Sequence, residues 1–263
     1  MNQEEYLKKF IIPKLQKLTK NKLISVILFG SIIDKVTWSE SDFDVLFIFD
    51  DSITKDEMKK AEIFVRATLD YKRLKRSKGI ITRLLRGLEN ETGMYVSGFL
   101  TRRNDFLNWN FPKIFGLNRI MAKILAPANA VKYTIMKRYK VIYGEDLIKK
   151  LSPPKVKVSD LIKSLIMNLL LSIGAFIISP HKESPKYSIE AIKWSIYATT
   201  YAIDSRPHLY AVGEILAKWG VKYIRKYFIP ARKSGKPHAL VTFLAPLNVL
   251  KIHKLAIKYR KRD

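Results

Sequence analysis

The chain contains no cysteine. This absence excludes a disulfide framework, a thiolate zinc site, an iron–sulfur cluster and a cysteine nucleophile. Any catalysis must therefore use oxygen and nitrogen groups. The first residues also lack an apolar run behind a basic start, so no secretory signal is predicted and we expect a cytoplasmic protein.

Acidic residues are scarce in most of the chain. Residues 1–60 carry equal numbers of basic and acidic side chains, so the net charge of +26 arises entirely downstream. Between residues 205 and 263 the only acids are Glu214 and Asp263. So large an imbalance favours a polyanionic partner such as RNA. A lysine-rich surface typical of proteins from hot environments is the alternative, although ion-pair networks need matching acids.

The 263 residues, 48% of them hydrophobic, suffice for two domains with cores of their own. Apolar runs at 23–29, 43–49 and 94–100 predict strands, and helical periodicity surrounds them at 3–20, 55–76 and 80–88, with Thr54 as the N-cap of the second helix. A proline-rich linker, Ser152-Pro153-Pro154, separates this part from four helical segments. We predict an α+β domain with a small mixed sheet at residues 1–150, followed by an all-α helical bundle domain at 155–263.

The segment from Ser164 to Pro180 contains no charged residue. Its length is at the lower limit for a membrane-spanning helix. Because Ser164, Asn168 and Ser172 share one helical face, we predict a bundle helix that is buried on most sides, and no membrane partner. His253 has no neighbour at metal-ligand spacing, so we expect a surface or helix-capping role for it.

Two motifs in the first domain indicate phosphate chemistry. Gly30-Ser31 ends the first strand, where free backbone N–H groups and a glycine let a phosphate approach closely. Asp42 and Asp44 stand two residues apart at the start of the next strand, so both carboxylates project from one face. Two ionised carboxylates repel each other, which suggests that a cation such as Mg²⁺ or Mn²⁺ lies between them.

The sequence here resembles the DNA polymerase β-like nucleotidyltransferase superfamily, particularly its minimal and kanamycin-nucleotidyltransferase-like members. Gly-Ser, a spacer of ten residues and Asp-x-Asp follow in the order and spacing of that family. The resemblance implies that Gly30 and Ser31 hold the triphosphate of an NTP, with Asp42 and Asp44 as magnesium ligands. Ser41 would support the turn.

The sequence departs from the family pattern in two places. Members usually place a third carboxylate on a later strand as metal ligand and general base. The strand at 94–100 has no acid, so Glu91 just before it is our candidate, and Asp105 just after it is the alternative. An arginine and a glycine often follow Gly-Ser, whereas this chain has Ile32 and Lys35. Either Lys35 supplies the missing positive charge, or the triphosphate site is weaker than in the family.

These observations predict a Mg²⁺-dependent enzyme that transfers NMP from an NTP to a hydroxyl acceptor, with RNA as the expected acceptor. A lapsed, nucleic-acid-binding relative is one alternative, and a toxin–antitoxin component that modifies a partner protein is another. The basic residues between Lys251 and Arg262 are expected to contact a phosphate backbone.

Overall fold

The computed structural model describes residues 3–30, 33, 44–69, 98–178, 184–204, 209–234 and 239–261. The chain divides into two compact units. The first comprises Met1–Ala122 and Tyr139–Ser152, and the second comprises Lys123–Arg138 and Pro153–Asp263. The boundary after Ser152 coincides with the predicted linker.

The first unit is built on a four-stranded mixed sheet. Its strands are β1 (Leu23–Phe29), β2 (Val45–Phe49), β3 (Phe99–Arg102) and β4 (Tyr139–Gly144), in the order β3-β2-β1-β4. β1 is antiparallel to both of its neighbours, whereas β2 and β3 are parallel. The β-branched and aromatic side chains of β1 and β2 are suited to strands that are buried on both faces. The predicted α+β class is confirmed.

Helices cover one face of this sheet. They are α1 (Gln3–Tyr6), a π-helical turn (Leu7–Ile11), α2 (Ile12–Leu18) and α3 (Lys55–Leu69). Leu7, Ile11 and Leu15 pack with Val26, Leu28, Phe47 and Val65 in one apolar core. Helix α3 begins with a capping box, in which Thr54 and Glu57 exchange hydrogen bonds between side chain and backbone N–H. Thr54 is therefore confirmed as the N-cap.

Short helices follow β3: α4 (Arg103–Leu107), α5 (Phe111–Phe115), α6 (Arg119–Leu125) and α7 (Ala128–Lys137). A 3₁₀ turn, Leu147–Lys150, follows β4. On the sheet face opposite the α1–α3 core, Phe29 contacts Phe99, and Phe99 contacts Phe115 edge to face. These aromatic rings give the second sheet face a core of its own.

The second unit is helical. It contains α8 (Val158–Ile177), α9 (Ser184–Ala202), α10 (Leu209–Lys218), a π-helical turn (Ile224–Phe228), α11 (Ile229–Ser234) and α12 (Ala239–Lys258). Helix α9 is buried around most of its circumference, and α8 and α12 pack against it and against each other. This unit confirms the predicted helical domain.

Helix α8 does not have the burial predicted for it. The serine and asparagine face is buried, but the opposite face, which includes Leu170 and Ile177, is exposed. The central position belongs to α9, whose serine, alanine and threonine side chains allow close packing on several sides. By length and composition alone, α8 and α12 could each cross a membrane, a test that core helices of soluble proteins also pass.

Residues 123–138 belong to the second unit, although the predicted limits place them in the first. Helix α7 supplies the contacts that explain this. Asn129 donates a hydrogen bond to the Asp160 carboxylate at 2.9 Å, and the Tyr133 ring packs edge to face on Tyr201. These partners lie on α8 and α9, far along the chain, so local sequence could not reveal them.

Candidate active site

The C-terminal end of β1 and the N-terminal end of β2 lie side by side, at the edge of the sheet that is formed by strand ends. The two strands pair in antiparallel fashion, with Leu28 opposite Val45. One position further, the amide of Phe29 donates a hydrogen bond to the carbonyl of Asp44 at 3.0 Å. The backbone ladder therefore fixes Gly30 and Asp44 as neighbours at this edge.

Gly30 and Asp44 are in contact through the aspartate side chain. Gly30 has a φ of +77°, a conformation that favours glycine. A Cβ atom on Gly30 would lie 2.0 Å from Oδ2 of Asp44 and 2.8 Å from its Cγ. The absence of a side chain at Gly30 therefore creates the space in which the carboxylate lies.

This contact gives Gly30 a role that the sequence did not suggest. The sequence predicted that the glycine would let a phosphate approach the backbone. In the structure, the space beside its α-carbon receives the Asp44 carboxylate. Phosphate binding by Gly30 stays a prediction, and the placement of Asp44 is a structural reason for glycine at this position.

The Asp44 side chain projects from the sheet face opposite the α1–α3 core. Val45, Phe47 and Phe49 belong to that core, and side chains alternate along a strand. Asp44 therefore shares its face with Leu46 and Ile48. Asp42 lies outside the described residues, so its position on the same face stays a prediction from the sequence.

The parallel strand β3 begins beside the same edge. Phe99 is opposite Leu46, and Gly98, with a φ of +82°, precedes it. A Cβ on Gly98 would lie 2.6 Å from Cγ1 of Val65 on α3. Because β3 is parallel to β2, the chain enters β3 beside the start of β2, near Asp44, and leaves β3 beside the end of β2.

This topology excludes Asp105 as a partner of Asp44. Arg102 is opposite Phe49, so Asp105 follows β3 beyond the far end of β2. At about 3.3 Å per residue, the five residues of β2 alone separate the two ends by roughly 16 Å. Asp105 instead forms an ion pair with Lys113 at 2.8 Å. The alternative third carboxylate is therefore wrong.

The other predicted site residues are not placed. Glu91, the preferred third carboxylate, lies outside the described residues, as do Ser31, Lys35 and Ser41. Their roles as general base and triphosphate ligands stay predictions.

The described part of the site has the type of ligand atom that a hard cation such as Mg²⁺ binds. Asp44 contributes carboxylate oxygens, the ligand type that Mg²⁺ prefers. Within the described ranges, no group of three His, Cys, Asp or Glu residues could hold a metal ion. A two-carboxylate site would need Asp42 beside Asp44, as the spacing in the sequence predicts.

Sequence reasoning missed the contribution of β4 to this edge. Tyr139 is opposite Phe29, and its hydroxyl donates to the Asp146 carboxylate at 3.0 Å. Burial raises the pKa of Tyr139, and the hydrogen bond to Asp146 adds to this effect. No strand was predicted from the sequence at 139–144, and nothing local indicated that this segment would pair with β1.

The predicted basic surface near the C-terminus is not uniform. Lys254 and Lys258 are exposed on α12. Lys261, in contrast, forms an ion pair with Asp204 at 3.0 Å, and Arg260 donates to the carbonyl of Ile257. The two α12 lysines are therefore better placed than Lys261 to meet an external anion.

His253 is buried, in contrast to the expected surface or capping role. Its Nδ1 lies 3.0 Å from the carbonyl of Val249, and its Nε2 lies 3.1 Å from the Ser164 hydroxyl. Asn168 donates a further hydrogen bond to that hydroxyl. The spacing of Ser164 and Asn168 showed that they share a face, but not that a histidine from α12 would join them.

Comparison of the whole structure with solved structures identifies its fold. Spectinomycin adenyltransferase AAD(9) from Enterococcus faecialis, solved with ATP and spectinomycin, superposes with a TM-score of 0.55. The alignment covers 97% of this chain and 100% of that one, at 16% identity. The chain has a nucleotidyltransferase fold. This likeness to an adenyltransferase confirms the fold predicted from the Gly-Ser and Asp-x-Asp motifs.

The sequence comparisons add nothing to this relationship. No family model matches the chain, and no curated protein is similar to it in sequence. The nucleotidyltransferase fold is therefore recognised through the structure and the short motif at 30–44.

Proposed function

We propose that this protein transfers NMP from an NTP to a hydroxyl acceptor with release of pyrophosphate. The observation that carries the proposal is the contact between Gly30 and the Asp44 carboxylate, at the strand edge where the motif predicts the site. The nucleotidyltransferase fold, shared with an adenyltransferase that was solved with ATP, supports the same reaction class.

Each residue has a distinct task in this proposal. Asp44, held against Gly30, and Asp42 bind the divalent cation. Ser31 and Lys35 bind the triphosphate, and Ser41 supports the turn that carries Asp42. Mg²⁺, when bound, stabilises the charge that develops on the phosphate oxygens and the departing pyrophosphate.

The chemical step balances without a further reactant. The acceptor oxygen forms a bond to the α-phosphorus, and the bond from that phosphorus to the bridging oxygen of pyrophosphate breaks. The acceptor hydroxyl loses its proton to a carboxylate base, for which Glu91 is the candidate. Because Asp105 lies beyond the opposite sheet edge, it takes no part in this step.

RNA is the acceptor that the charge of the chain favours. A net charge of +26 exceeds what one bound nucleotide requires, and basic residues are frequent at 72–86 and again on α12. A small hydroxyl-bearing antibiotic is the second candidate, since the AAD(9) structure contains spectinomycin.

Labelled nucleotides test both the reaction and the acceptor. The protein is incubated with each α-labelled NTP and Mg²⁺ or Mn²⁺, together with total RNA or with spectinomycin. We expect label transfer to RNA with one preferred NTP. Asp44→Asn should abolish transfer, whereas Asp56→Asn, at an exposed position on α3, should leave it unchanged. Transfer to spectinomycin alone would overturn the RNA assignment, and no transfer to any acceptor would overturn the enzyme proposal.

A further inference from the structure

Helices α8 and α12 share an exposed apolar face, which we call the outer face. It consists of seven side chains from α8 and four from α12: Val158, Ile162, Ile166, Leu170, Ile173, Phe176, Ile177, Leu240, Phe243, Leu247 and Leu250. Several are far from buried, with exposed fractions of 57% for Leu170, 72% for Ile177 and 67% for Leu247.

The outer face is continuous across the two helices, which run antiparallel. Ser164 near the start of α8 meets His253 near the end of α12, and Phe176 near the end of α8 packs edge to face on Phe243 at 5.3 Å. This arrangement places the uncharged stretch 164–177 of α8 beside the uncharged stretch 239–250 of α12. The two stretches form one apolar patch with no charged residue in either.

The opposite sides of both helices are buried in the interior of the second unit. Leu161, Asn168 and Ala175 of α8 and Val249 and Ile252 of α12 are buried. The outer face is therefore the side left over after the bundle has formed. A contiguous exposed patch of large apolar side chains usually marks an interaction site.

The dimensions of the outer face suit an interface between protein molecules. The apolar positions span about 30 Å of α8 and about 17 Å of α12, and each helix is about 10 Å wide. The patch therefore measures roughly 500 Å² per partner, less than the roughly 800 Å² of a standard interface and typical of a weak, concentration-dependent one. An apolar, uncharged centre is also the composition of an interface core.

Lysines border the patch at the C-terminal end of α12. The exposed positions of α12 continue from Leu247 and Leu250 into Lys251, Lys254 and Lys258. Within an interface these lysines belong to a hydrated rim, because their charge is costly to bury. A two-fold arrangement that superposes the uncharged halves leaves the lysine ends outside the contact.

We propose that the outer face of α8 and α12 pairs with the same face of a second copy of this chain. An uncharged apolar patch is complementary to itself, which is what a two-fold symmetric interface requires. Nucleic acid accounts for the lysines but not for eleven exposed apolar side chains. An acidic lipid surface is the competing partner for this face. Salt should weaken binding to such a surface, whereas it should strengthen dimerisation.

The salt dependence follows from the net charge of +26. Two such chains repel each other at low ionic strength, and salt screens this repulsion beyond a Debye length of about 8 Å at 0.15 M. Dimerisation through an apolar patch should therefore strengthen as salt rises. Binding to acidic lipid should weaken under the same change.

The first experiment measures mass by light scattering and sedimentation over a range of protein and salt concentrations. We expect a species of twice 30.5 kDa that becomes more abundant in salt. Leu170→Glu and Leu247→Glu should each shift the protein to monomer. Ile63→Glu is the matched control, because Ile63 is 60% exposed on α3 in the other unit. Circular dichroism confirms that each variant is folded.

The second experiment uses the absence of native cysteine. Leu247→Cys should form a disulfide-linked dimer or react with a short bifunctional crosslinker in good yield, whereas Ile63→Cys should not. A monomer at every concentration and salt level would overturn the proposal. So would flotation of the monomer with acidic phospholipid vesicles that is lost in salt and abolished by Leu247→Glu, since that result assigns the face to lipid.

Discussion

Gly30 lies directly against the carboxylate of Asp44, so that one hydrogen atom of the glycine occupies a place where no methyl group would fit. The two residues are fourteen positions apart in sequence and are brought together by the antiparallel pairing of β1 and β2. The glycine of the first motif thus determines where an acid of the second motif can lie. The two motifs form one structural unit.

Gly30→Ala tests this relationship. The new methyl group must displace the Asp44 carboxylate, and alanine at a φ of +77° adds about 1–2 kcal/mol of backbone strain. With overpacking of typically about 1–3 kcal/mol, we expect a total loss of roughly 3 kcal/mol in unfolding free energy, together with loss of nucleotide transfer. Urea denaturation and the transfer assay measure the two effects.

Gly116→Ala is the matched control for that variant. Gly116 has a similar φ of +65°, but nothing lies within 4 Å of its Cβ position. Gly116→Ala should lose only the roughly 1–2 kcal/mol of unfolding free energy that comes from backbone strain, and it should keep full activity. In addition, Asp44→Ala should relieve part of the cost of Gly30→Ala in the double variant. Strict additivity in this cycle would contradict the contact.

The third carboxylate can be identified by paired substitutions. We expect Glu91→Gln to lower kcat strongly while sparing NTP affinity, as for loss of a general base. Asp105→Asn should leave kcat unchanged, because Asp105 follows the far end of β3 and pairs with Lys113. A loss of rate in Asp105→Asn without loss of stability would contradict the parallel pairing of β2 and β3.

His253 should make stability dependent on pH. Burial lowers the pKa of His253 to about 4, and a histidine in the unfolded chain titrates near 6.5. Between these values the unfolded chain binds a proton that the folded protein does not. Stability is therefore full above pH 6.5 and falls as the pH drops towards 4, by about 3 kcal/mol in total.

Urea denaturation between pH 4 and 8 measures this effect against His253→Gln, which keeps a polar side chain but does not titrate. The two free-energy curves should converge on acidification, because only the histidine form loses this contribution. Curves that stay parallel would show that His253 titrates normally in the folded state. Glu57 also contributes to the pH dependence of stability, but at lower pH. The hydrogen bond from Lys22 lowers the pKa of Glu57 to about 2, so the stability that this ion pair provides is lost mainly below pH 4.5.

RNA binding should depend unequally on the C-terminal basic residues. Replacing both Lys254 and Lys258 by alanine should weaken binding and reduce the slope of log K against log salt by roughly 0.7–0.9 per lysine. Lys261→Ala should have a smaller effect, because Asp204 already neutralises Lys261. Filter binding over a salt series measures the slopes. Equal effects of the three lysines would contradict this order, and a zero slope for the unmodified protein would exclude RNA.

The sequence by itself determined the local elements and the candidate chemistry. β1 was predicted at its observed bounds, because β-branched residues and a terminal glycine define a strand within seven positions. Thr54 was predicted as a helix cap because a capping box is complete within four residues. The spacing of Gly30-Ser31 and Asp42-Asp44 likewise indicated the nucleotidyltransferase fold, since the motif lies between two strands that are consecutive in sequence.

Only the tertiary structure decided which distant residues meet. It separated Asp105 from Asp44, because the direction of β3 depends on a pairing that the local sequence does not encode. It buried His253 against Ser164, and it left one face of α8 exposed because α9 occupies the centre of the bundle. A helical pattern shows which side chains share a face. Whether that face meets a neighbouring helix or water depends on how the whole unit packs.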